Sequence, residues 1–159
     1  MIREMLGIAE GILQDLHNDH SEVGELLGQI KDCENGTERH RLFSAMAGKL
    51  LPHLKAEQEV LYARLEQGKA AESRQFGVEG TSEHQLVEQQ VRKLSGMPDV
   101  MSDRWMAELK VLQDLIEHHV GEEESTGFSC ARDEFTKEQL EAMSPQFQTR
   151  KARLGTKVA

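Results

Sequence analysis

"WMAELKVLQDLIEHHVGEEES", residues 105–125, decides how this chain is read. Its apolar residues fall at Trp105, Leu109, Leu112 and Ile116, in steps of four, three and four. Such steps place all four on one helix face. Continued at the same rhythm, that face next meets His119 and Glu123 instead of two more apolar side chains. His118 and Glu122 have the same i, i+4 relation, but their phase lies about 100° away. His118 is therefore expected at the surface. Glu124 competes with Glu123 for the inward place, because a kinked helix end would rotate it toward the core.

Three more segments repeat the rhythm. Leu6, Ala9, Leu13 and Leu16 lead to His20, followed by Val23, Leu27 and Ile30. Phe43, Met46 and Leu50 lead to His53 and Glu57, then Val60. His84 opens a third set with Val87, Val91 and Leu94. Apolar seams of this kind, sustained over several turns, belong to helical bundles. "CENGTE" (33–38) and "SGMPDVMSD" (95–103) make short joins, which imply antiparallel neighbours. The fold expected is all-α: an up-down-up-down four-helix bundle over residues 1–128, with a C-terminal helical extension over 129–159. "GKAAESRQFGVEGT" (68–81) reads as a longer join between the halves, with Ser82 and Gln85 as a capping box, or with the third helix beginning earlier. Pro52 is expected to kink the second helix, and Pro145 to bend or restart the fifth. Thr136 with Gln139 caps that fifth segment.

The halves echo each other: His20, His53 and Glu57, then His84, His119 and Glu123. Counted from one end of the bundle, the histidines sit at depths of roughly 16 and 24 Å, close enough to converge on one layer. Burying a polar group without a partner costs about 1–3 kcal/mol. Six together would cost on the order of 10 kcal/mol, against a net stability of roughly 5–15 kcal/mol. Cations satisfy all six at once. Imidazoles mixed with carboxylates suit iron, manganese or zinc, and six protein ligands exceed what one tetrahedral zinc takes.

Bulk properties narrow the rest. A formal charge of −9 without a basic cluster argues against nucleic acid and anionic membrane as partners. No apolar run reaches the ~18 residues of a membrane helix. The charged N-terminus is unlike a signal peptide, so a cytoplasmic protein is expected. Cys33 and Cys130 form no metal-binding pair. His17, His40, and the methionines 46, 97, 101, 106 and 143 read as helix-surface or packing residues. Tyr62 reads as packing, with a role beside the metals as the alternative, and "TRKARLGTK" (149–157) as a solvated basic end.

"LHNDHSEV", "LPHLKAEQEVLY", "SEHQLVEQ" and "HHVGEEES" together resemble the hemerythrin family in its HHE cation-binding form. The resemblance covers residues 1–128. It implies two non-haem irons, oxo- or hydroxo-bridged, with manganese or zinc as substitutes. His20 and His53 would serve one iron, His84 and His119 the other, and Glu57 and Glu123 would bridge. The fifth histidine of oxygen carriers is missing: Gly80 and Glu88 flank His84 at that spacing. The resemblance therefore points to binding or reduction of a small oxidant (dioxygen, nitric oxide or peroxide) in oxidative or nitrosative stress or oxygen sensing. The alternative is a labile iron donor or iron sensor acting through a protein partner. Carrier, enzyme and sensor stay open at this point, and no side chain is assigned a catalytic role of its own. A ferritin-like oxidase fits poorly, since Val120 stands where Glu117 would need a histidine.

Overall fold

The computed structural model describes residues 10–158, with side chains through residue 156, and every regular element among them is helical. Helix α1 is Ile12–Asp32. Helix α2 is Gly36–Glu57, prolonged by a π-helical turn Gln58–Tyr62 and a last turn Ala63–Leu65. Helix α3 is Ala71–Ser95. Helix α4 is Asp103–Glu122, prolonged by a second π-helical turn Glu123–Gly127 and by Phe128–Glu134. Helix α5 is Lys137–Val158. Leu6 and Ala9 of the first seam lie outside the described residues.

Side chains at the helix starts explain the boundaries. The Asn35 side chain accepts from the Glu38 amide at 2.9 Å, and Ser102 Oγ accepts from the Trp105 amide at 3.1 Å. Thr136 and Gln139 exchange both bonds of a capping box. Among the described residues Gly11 alone takes positive φ, at 53°, and a Cβ there would meet the Leu140 carbonyl oxygen at 2.2 Å. The chain therefore enters α1 directly against α5. Arg39 is buried at the opposite end. It donates to the carbonyls of Ile30, Cys33 and Val100, joining the end of α1 to the α3–α4 loop.

α1 packs on α2, α3 on α4, and α5 lies against α2 and α1. The apolar interior divides into two clusters. One contains Val23, Leu50, Val87, Trp105 and Leu112; the other contains Leu16, Val60, Phe76, Phe128 and Phe147. Along each of the first four helices, the histidines and glutamates of the seams fall between these clusters. Both cysteines are free thiols.

Two expectations need correction. The segment 68–81 is not a long join: α3 begins at Ala71, so Ser82 lies inside it. Its glycines are sites of close approach. A Cβ on Gly80 would fall 2.6 Å from the Tyr62 ring, and one on Gly77 would lie 3.0 Å from the Tyr62 carbonyl oxygen. Lys151 is not a solvated tail residue either, because α5 carries it against α1. Pro52 and Pro145 both lie inside uninterrupted helices.

Candidate metal centre

All six seam residues converge. His20, His53, Glu57 and Glu123 place one ligand atom each within 4.8 Å of one another, and so do Glu57, His84, His119 and Glu123. Glu57 and Glu123 are common to both groups, and neither exposes any surface. His53, His84 and His119 are buried as well, and His20 exposes 7% of its side chain. Nε2 of His20 lies 3.1 Å from Glu123 Oε1, and Nε2 of His84 lies 3.1 Å from Glu57 Oε1. The Nε2 atoms of His84 and His119 face each other at 2.8 Å, so at most one of them carries a proton.

A shell of carboxylates turns the imidazoles. Nδ1 of His53 donates to Asp19 at 2.9 Å, Nδ1 of His20 to Glu124 at 2.8 Å, and Nδ1 of His119 to Glu83 at 2.9 Å. A carboxylate accepting at Nδ1 fixes the proton there and leaves Nε2 as a bare donor pointing inward. Glu124 is thus the residue that orients His20, and it also accepts from the exposed His17 at 2.6 Å. Glu123 holds the inward place in both groups. His118 stays exposed, 3.1 Å from Glu83.

The π turns shape the interior. Tyr62 lies five residues after Glu57, about 140° around an ideal α-helix from it. The wider turn at Gln58–Tyr62 brings it back toward the same face. Its buried hydroxyl donates to Glu123 Oε2 and lies 3.1 Å from His119 Nε2. The two readings of Tyr62 both apply: it packs on Phe76 and also reaches the centre. In the second half Phe128 follows Glu123 at the same spacing, and a Cβ on Gly127 would strike the Phe76 ring at 2.5 Å.

Several inward atoms have no hydrogen-bond partner: His20 Nε2, both oxygens of Glu57, and Glu123 Oε1. His84 Nδ1 is also unpaired. Burial and the neighbouring Glu123 charge push the Glu57 carboxyl well above the usual range. Burial would raise Glu123 too, but the close imidazole of His20 and the charges of His119 and His20 hold it well below. Burial and the nearby His119 push His84 well down. Burial disfavours the charged form of His20, yet the adjoining carboxylates of Glu123 and Glu124 outweigh it and raise its pKa to about 9, so a cation in the layer would displace the proton from Nε2. Two carboxylates in one closed space, with bare imidazole nitrogens beside them, are a donor set that cations complete. The residues therefore fit metal ions.

Comparison with known proteins agrees with this geometry. Residues 11–131 match the family described as "Hemerythrin HHE cation binding domain". Among curated proteins, the chain is similar to a protein named "DNA nickase" from Nostoc sp. (strain PCC 7120 / SAG 25.82 / UTEX 2576), 27% identical over 143 residues. The aligned region covers 89% of this chain and 40% of that relative, so the chain spans well under half its length. No solved structure matches.

Proposed function

We propose that this chain, which belongs to the hemerythrin HHE cation-binding family, holds two non-haem irons and uses them to bind or reduce a small oxidant: dioxygen, nitric oxide or peroxide. The observation that supports it most is the single buried layer of six donors, with unpaired inward atoms and carboxylates behind three of the four histidines. His20 and His53 would hold one iron, His84 and His119 the other, with Glu57 and Glu123 shared. Iron supplies redox change and open coordination positions when bound.

The chain's own residues do the rest. Asp19, Glu124 and Glu83 hold protons at Nδ1 and keep Nε2 free. The apolar clusters on either side of the layer exclude water. Tyr62 keeps a proton at its hydroxyl, because burial and the charges of Glu123 and Glu57 push its pKa well up. It can donate that hydrogen bond toward Glu123 or toward a small guest. Because the chain supplies four histidines, not five, its six donors would leave room on two irons for such a guest.

The same reading takes the first four helices as an up-down-up-down bundle over 1–128, with 129–159 as its extension, working in the cytoplasm. No helix among the described residues is long and apolar enough to cross a membrane. It assigns no nucleic-acid partner, since the net charge is −9. Anaerobic addition of ferrous iron, followed by each oxidant in turn, tests the proposal. It predicts about two irons per chain and an optical change with at least one oxidant. Iron that stays inert to all three favours the labile iron donor or sensor, and fast loss of iron to a weak chelator would support that second reading.

A further inference from the structure

The family match ends at residue 131 and α5 starts at Lys137, yet α5 reaches the ligand layer. Its inward stripe runs Leu140, Met143, Phe147 and Leu154, and Lys151 stands on that stripe where an apolar residue would be expected. A lysine on an inward stripe needs a partner. Lys151 Nζ donates to both oxygens of Asp19, at 2.8 and 3.0 Å, and sits 5.0 Å from the centre of the Phe147 ring. Asp19 is the carboxylate that accepts from His53 Nδ1. The buried Phe147 ring meets His53 edge-on, with centroids 5.7 Å apart. α5 thus touches His53 on an apolar side and, through Asp19, on a polar one.

The other half differs. Glu83, the counterpart of Asp19, accepts from His119 and lies 3.1 Å from the exposed His118 of the same helix. Among the described residues no lysine or arginine pairs with it. Asp19 shares its charge with an ammonium, so it pulls less on the Nδ1 proton of His53 than Glu83 does on that of His119. His53 Nε2 is then the weaker donor. Resting on the di-iron reading, we propose that Lys151, with Phe147, is a positioning residue that makes the His20–His53 half-site chemically distinct from the His84–His119 half-site. α5 is then a working part of the metal centre.

Mössbauer spectroscopy of the iron-loaded full chain, paired with iron release to a chelator, tests this. Wild type should give two doublets of equal area. Lys151→Met should shift one doublet and slow the loss of one iron about tenfold, the scale of a changed outer partner, because Asp19 then pulls harder on His53 Nδ1. Lys151→Arg should restore both readings. Ser144→Ala, which removes the Ser144–Asp15 bond on the same helix, should leave both doublets in place. If Lys151→Met does not fold, Phe147→Leu should shift the same single doublet. One common doublet in wild type, no change in the variants, or an equal change in both irons overturns the proposal. Failure of wild type to take up iron is read before any variant, and overturns the di-iron reading with it.

Discussion

The hydroxyl of Tyr62 donates to Glu123, so a residue from α2 closes the far half of the ligand layer. The reciprocal position in the other half is Phe128, which has no hydroxyl. The two halves therefore match in ligands, and the phenol aimed between them is one of their differences.

Tyr62→Phe removes that donor while keeping the ring that packs on Phe76. It makes the first half like the second. The fold should survive, with about 1–3 kcal/mol lost for leaving Glu123 short of a partner. Iron should still bind, and the optical spectrum of the loaded protein should shift. An unchanged spectrum would place the hydroxyl outside the centre's influence.

Convergence of the six seam residues was legible because 3,4 spacing carries phase over a whole helix. Tyr62 was legible only as an alternative to packing, since an α-helical count sends it away from Glu57 and nothing in "QEVLY" marks a π turn. Asp19 and Glu83 were missed although each directly precedes a seam histidine, His20 and His84. Each serves the histidine of the neighbouring helix, 34 and 36 residues on. Lys151 was hidden in a basic run, and its stripe shows only with Leu140, Met143 and Phe147 in place. Gly77 and Gly80 looked like loop punctuation because composition does not separate a turn from a close helix contact.

That last point has a direct test. Gly80→Ala puts a methyl group 2.6 Å from a Tyr62 ring enclosed by Phe76 and His84. It should destabilise the protein by about 1–3 kcal/mol. Gly24→Ala in α1 has nothing within 4 Å and should stabilise by about 0.4–1 kcal/mol. Thermal melts of both variants should move in opposite directions.

Glu57→Gln separates metal-free from loaded stability. Burial and Glu123 already favour a neutral Glu57. The metal-free variant should therefore melt no lower than wild type. With iron in excess, wild type should gain about 3 kcal/mol or more from binding, and the variant should lose most of that gain. A variant that melts low without iron and gains fully with it would contradict the shared role of Glu57.

Glu134 gives a pH signature away from the ligands. It accepts from the amides of Ala70 and Lys69, at 2.8 and 2.9 Å, just ahead of α3. Those bonds, Ala70 first, hold its carboxyl below its ordinary 4.5. A folded-state value below the unfolded one stabilises above pH 4.5, and the benefit fades as pH falls through the folded value. Glu134→Gln should melt lower than wild type at pH 7, and the difference should shrink as the pH is lowered below 4.5.

Anomalous X-ray scattering at the iron edge, from crystals of the iron-loaded chain, tests the central claim most directly. Two peaks should appear inside the layer, one against His20 and His53, the other against His84 and His119, with Glu57 and Glu123 between them. A single peak, peaks on the outer faces of the helices, or no peak at all would contradict it.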